Sequence, residues 1–138
     1  MHFLNQQTDD IRFAVELVRE CSKMARDIQR EMVTPALQKD DRSPVTVADF
    51  AVQAVIGKRL AERFSRTPLV AEESTKAVSR VDSDRVFGQI ADFVRPLEPS
   101  ADSERVRKWI DRGQVEFSDR FWVLDPIDGT KGFLRGDQ

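Results

Sequence analysis

One cysteine and one histidine in 138 residues leave little room for the commonest polar chemistries. Cys21 has no partner for an internal disulfide, and His2 and Cys21 together cannot make a tetrahedral zinc set. A Ser-His-Asp or Cys-His device would have to recruit His2 from the N-terminus, where chains are ordinarily least ordered. An excess of basic charge is missing too. Lys and Arg number 22 against 24 Asp and Glu, for a formal net charge of -2 and a pI near 5.5. That balance gives no electropositive field for a phosphate backbone and excludes general nucleic-acid binding. No stretch approaches the roughly 18 consecutive apolar residues of a membrane span, and no basic segment followed by an apolar run marks a signal or transit leader. The expectation is a soluble, intracellular, cytoplasmic protein with no membrane partner. Polar chemistry falls to carboxylates, hydroxyls, Lys and Arg, an inventory suited to oxygen-ligated metals.

The length suits one domain with a modest core. Charged and hydrophobic fractions of 33% and 40% are globular values, and residues 96–104 are the stretch whose composition points to disorder. From Ile11 the residues Ile11, Ala14, Val18, Cys21, Ala25, Ile28 and Met32 recur at spacings of three and four, which predicts a long amphipathic helix. Thr8 or Asp9 can cap its start, and Pro35 ends it. Residues 38–45 are polar and proline-bearing and predict a loop. A second helix is expected from Thr46, with Ala48, Val52, Val55, Ile56, Leu60 and Phe64 on its apolar face. Thr46 and Asp49 have the spacing of a capping box. Pro68 to Ala71 predicts a short buried strand that delivers Glu72 and Glu73 at its end. Residues 81–95 and 103–112 read as helices, and Arg120 to Asp125 as a second strand. The order predicts an α/β or layered α+β domain.

In Asp125-Pro-Ile-Asp128 two carboxylates stand three residues apart, and in a continuing strand they would face opposite ways. Pro126 presets a turn and Gly129 permits tight geometry, so Asp125, the Ile127 carbonyl and Asp128 can converge on an all-oxygen magnesium pocket, with Glu72 as a further carboxylate. The same four residues also make an ordinary surface turn. Gly129, Thr130 and the separate Glu72-Glu73 pair favour the metal reading, because they add amides, a hydroxyl and more acid beside the ion.

These residues resemble a known family: the lithium-sensitive, magnesium-dependent phosphatases that include inositol monophosphatase and the 3'(2'),5'-bisphosphate nucleotidases. Asp125-Pro-Ile-Asp-Gly-Thr130 is similar to its first signature. Thr130 to Gln138, Ser43-Pro-Val-Thr-Val-Ala-Asp49 and the 53 positions between Glu72 and Asp125 resemble the nucleotidase branch. The resemblance implies the family's layered α+β sandwich, of which this chain would be the N-terminal portion, residues 1–138, with two long helices followed by the first strands of the sheet. It implies Mg2+ held by Glu72, Asp125, the Ile127 carbonyl and Asp128, water activated by Asp49 with Thr130, and phosphate held by the Gly129 and Thr130 amides. The implied reaction is removal of the 3'(2')-phosphate from adenosine 3'(2'),5'-bisphosphate, a small phosphorylated nucleotide.

Two departures stand out. Ala71 occupies a place where many relatives carry glycine before the two glutamates, a change expected to be tolerated. The family's second signature, tryptophan-aspartate followed by small residues, has no counterpart before Gln138, so the chain reads as a fragment. Inositol or sugar monophosphate hydrolysis on the same fold remains an alternative, as does a noncatalytic metal-binding or association fragment. Asp49 keeps its capping alternative, and Glu73 reads as a neighbour of the ligands or a solvated acid. Cys21, Trp109 and Trp122 read as core, Lys131 as solvated or a substrate contact, and Arg105, Arg107 and Lys108 as a solvated helix face.

Overall fold

A computed structural model describes residues 2–32, 44–113, 119–127, 133 and 135. The elements follow in the order α1 (His2–Met32), α2 (Pro44–Arg63), β1 (Leu69–Ala71), a single 3-10 turn (Thr75–Ala77), α3 (Ser83–Val94), α4 (Ser103–Asp111) and β2 (Trp122–Leu124). Two long helices thus precede the first strands, as the α/β expectation required.

Helix α2 lies at the centre, packed against α1, α3 and α4. Its apolar residues Ala48, Val52, Val55, Ile56 and Leu60 are buried, and so are Val47, Phe50, Ala51 and Ala54, so the helix is enclosed on nearly every side. Small residues allow this. A Cβ at Gly57 would stand 2.2 Å from the Trp109 carbonyl oxygen, which shows how closely α4 approaches. The helix opens with Pro44, a favoured first helical residue because its missing N–H would be unpaired there in any case. Thr46 is therefore already inside the helix, and the Thr46-Asp49 capping box is not formed at the N-terminus.

Helix α1 also departs from expectation. It begins at His2, so neither Thr8 nor Asp9 caps it. Its buried stripe is Leu17, Cys21, Met24 and Ile28, whereas Ile11 and Val18 are 64% and 57% exposed. Apolar residues occupy two adjacent faces of α1, and α2 selects one of them. Burial pushes the Cys21 thiol up to about 12, in keeping with a core role.

Helices α3 and α4 bury Val86, Phe87, Ile90, Val94, Val106 and Ile110 beneath α2. Asp102 caps α4 by accepting the Arg105 N–H at 2.8 Å. The connection between these helices is folded rather than disordered: Glu98 is buried and accepts from Arg59, with Lys58 at 2.7 Å, while Arg59 reaches Glu20 of α1 at 2.7 Å. Lys58 and Arg59 thus partly offset the cost of taking the Glu98 charge out of water. Arg107 is likewise not merely solvated, since it spans to Asp84 of α3 at 2.6 Å and lies over Phe87. Trp122 packs on Phe64, and Lys58 lies over Trp109. Strands β1 and β2 pair in parallel, with Leu69, Val70 and Ala71 opposite Trp122, Val123 and Leu124. Among the described residues, no helix is long and apolar enough to cross a membrane.

Candidate functional site

The parallel register fixes the first relation in the site. Ala71 and Leu124 are the last paired residues, so Glu72 and Asp125 each stand one position beyond the end of their strands, at the same edge of the sheet. Parallel pairing gives neighbouring strands a common direction. The two acids therefore leave the sheet side by side, although 53 positions separate them.

The third acid comes from α2. Asp49 is half-buried, and its carboxylate accepts a hydrogen bond from the Ile127 backbone N–H, which ties the helix to the turn after β2. Its pKa is pushed up to about 7, first by burial and then by the charges of Glu73, Asp125 and Glu72. Every charge named in that shift is another carboxylate. Glu73 is raised in turn by its own burial and by Glu72 and Asp125. Four acids from α2, the end of β1 and the end of β2 thus share one electrostatic environment. Glu73 acts on Asp49 more strongly than Glu72 does, so it belongs to the cluster more closely than a solvated acid would.

The end of β1 and the loop after it are anchored at alternate residues, by the C-terminal end of α4 at Ala71 and Thr75 and by α2 at Glu73. Ala71 N–H donates to the Gly113 carbonyl at 3.2 Å. At Glu73 the Gln53 side chain both accepts the backbone N–H, at 3.1 Å, and donates to the backbone carbonyl, at 2.8 Å. Thr75 donates to Asp111 through its backbone N–H at 3.0 Å and its hydroxyl at 2.6 Å. Glu72 lies between two anchored residues and is exposed. Glycine at 113 explains why Ala71 is accommodated: a Cβ at position 113 would stand 2.7 Å from the Ala71 Cβ.

The structure thus brings together Asp49, Glu72, Asp125 and the Ile127 backbone. Asp128, Gly129, Thr130 and Lys131 lie outside the described residues. Among the described residues, no group of three or more Asp, Glu, His or Cys side chains is arranged to hold a metal ion. Sequence reasoning missed Gln53. Its signal was a lone amide one helical turn after Asp49, within the apolar run Val52 to Ile56.

A sequence profile described as "Inositol monophosphatase family" matches residues 6–138. The 3',5'-bisphosphate nucleotidase AHL of Arabidopsis thaliana is 38% identical over 150 residues, covering 94% of this chain and 40% of that protein. The 3'(2'),5'-bisphosphate nucleotidase 1 of Candida albicans (strain WO-1) is 35% identical over 155 residues, covering 99% of this chain and 42% of that protein. The 3'(2'),5'-bisphosphate nucleotidase of Schizosaccharomyces pombe is 35% identical over 142 residues, covering 92% and 40% respectively. The chain spans about two fifths of the length of these curated relatives.

Proposed function

The chain belongs to the inositol monophosphatase family, and on that premise we propose that it contributes the first metal-binding half of a magnesium-dependent phosphomonoesterase acting on adenosine 3'(2'),5'-bisphosphate. The observation that carries the reading is the approach of Glu73, Asp125 and Glu72, from the ends of β1 and β2, to the half-buried Asp49 of α2, whose pKa is pushed up to about 7 first by burial and then by these charges. A cluster of mutually repelling carboxylates is what a hard divalent cation relieves. The donor set fits Mg2+: it is all oxygen, with carboxylates and a backbone carbonyl.

Glu72, Asp125, the Ile127 carbonyl and Asp128 would hold the ion. When bound, magnesium would supply charge neutralisation at the phosphoryl oxygens and a lowered pKa for the attacking water. Asp49, positioned by the Ile127 N–H, would take the Thr130 hydroxyl proton as the hydroxyl oxygen takes a proton from the attacking water, so that the proton ends on the Asp49 carboxylate. The Gly129 and Thr130 amides would hold phosphate oxygens as charge builds on them. The nucleotide substrate class is supported by the names of the relatives.

The test is phosphate release by the intact gene product from adenosine 3',5'-bisphosphate and, separately, from inositol 1-phosphate. Magnesium-dependent turnover that favours the nucleotide in kcat/KM, is suppressed by lithium and is lost in Asp125→Asn is the expected result. A preference for the inositol ester would move the assignment to the sugar-phosphate branch. No turnover of either would leave the noncatalytic reading.

A further inference from the structure

Gln53 takes no part in the chemistry above, yet it is completely buried and its amide is fully engaged. The nitrogen donates to the carbonyls of Glu73 and Ile110, both at 2.8 Å. The oxygen accepts the Glu73 N–H at 3.1 Å. A single side chain therefore binds one peptide residue through both its N–H and its C=O, as a neighbouring strand would. It does so just past Ala71, where the pairing between β1 and β2 ends.

We propose that Gln53 is the positioning residue for the divalent-cation site, holding the Glu72-Glu73 backbone at a fixed place relative to Asp49 and the end of β2. The proposal rests on the reading of Glu72 and Asp125 as cation ligands. Two hydrogen bonds to one residue fix its rotation as well as its distance, and Glu72 is the residue immediately before it. Gln53 stands one helical turn beyond Asp49, so one rigid stretch of α2 sets both the candidate base and the acidic segment. The third bond, to Ile110, links this stretch to α4, and Gly113, two residues past the end of that helix, accepts the Ala71 N–H. Position 113 is closed to larger residues for the same reason: a Cβ there would stand 3.1 Å from the Gln53 nitrogen as well as against Ala71. Residues that orient metal ligands without touching the ion affect metal affinity by roughly 10- to 100-fold. Magnesium-type sites respond sharply because their geometry tolerates little displacement.

The test is Mn2+ affinity of the full chain by calorimetric titration, with the folded fraction followed by circular dichroism. Gln53→Met keeps the shape and removes all three bonds, and Gly113→Ala displaces the amide without removing it. Val106→Ala, in the core away from the acids, serves as a variant that loses stability alone. The expected result is Mn2+ affinity lowered about 10-fold or more in Gln53→Met, and lowered also in Gly113→Ala, with Val106→Ala within about twofold of wild type. If Gln53→Met does not fold, Gly113→Ala decides. Unchanged affinity in the folded variants overturns the positioning role. Failure of the wild-type chain to bind Mn2+ overturns the cation-site reading itself, and the positioning role falls with it.

Discussion

Replacing Asp49 by Asn is expected to stabilise the metal-free chain at pH 8 while abolishing turnover in the intact gene product. The carboxyl is held up to about 7 by burial and by the charges of Glu73, Asp125 and Glu72. An acid whose folded-state pKa is raised keeps its proton in the folded chain over a window in which the unfolded chain has already lost it. Stability therefore falls as pH rises from about 4 to about 7, and the full cost is present above that. A window of about three pH units corresponds to about 4 kcal/mol for a fully desolvated group, and solvent screening of the half-buried Asp49 reduces this to about 1–2 kcal/mol. Asn keeps the shape and can still accept the Ile127 N–H, so it removes the charge and little else. Urea unfolding in EDTA at pH 8 and pH 4.5 gives the comparison. The Asn variant should be the more stable by about 1–2 kcal/mol at pH 8, with the difference shrinking toward zero at pH 4.5. An equal loss of stability at both pH values would refute the repulsion argument and restore a purely structural role for Asp49.

Glu98→Ala should cost about 1–2 kcal/mol in urea unfolding, because Lys58 and Arg59 lose their buried partner but keep Glu62 and Glu20; a cost below about 0.5 kcal/mol would make the contact an ordinary surface pair. Gly57→Ala should cost about 3 kcal/mol or leave the chain unfolded, since the new Cβ would meet the Trp109 carbonyl at 2.2 Å; an unchanged melting temperature would contradict the close α2–α4 approach. With its pKa pushed up to about 12, Cys21 should have only about one thiolate in ten thousand at pH 8. A thiol reagent should therefore react stoichiometrically only after denaturation, and rapid labelling of the native chain would contradict its burial.

The parts of the fold that depend on short-range pattern were legible in the sequence. The α2 residues from Ala48 to Leu60 recur at helical spacing, although Phe50, Ala51 and Ala54 between them are buried as well, and the acids at the ends of both strands sit where a run of apolar residues stops. Parallel pairing through Ala71 and Leu124 then starts Glu72 and Asp125 from the same end of the two strands. Helix α1 was less legible because Val15, Leu17 and Val18 place apolar groups on neighbouring faces, and only the partner helix decides which face is buried. The Thr46-Asp49 spacing mimicked a cap, whereas Pro44 starts the helix two residues earlier. Residues 96–104 looked unfavourable for order because the cations that neutralise Glu98 lie almost 40 positions away on α2. Gln53 was hidden for a related reason: its partners at Glu73 and Ile110 are 20 and 57 positions distant, and a lone amide within an apolar run has no local reading.

Glu72 and Asp125, delivered at the same end of two parallel strands, are proposed to hold one divalent cation next to Asp49. Electron paramagnetic resonance titration of Mn2+ into the chain tests it most directly, with Glu72→Gln, Asp125→Asn and, as a distant control, Glu104→Gln on α4. The account predicts one Mn2+ per chain, held about 10-fold or more weakly after either substitution at the sheet edge and unchanged in the control. Binding indifferent to both substitutions, or no binding at all, would contradict it.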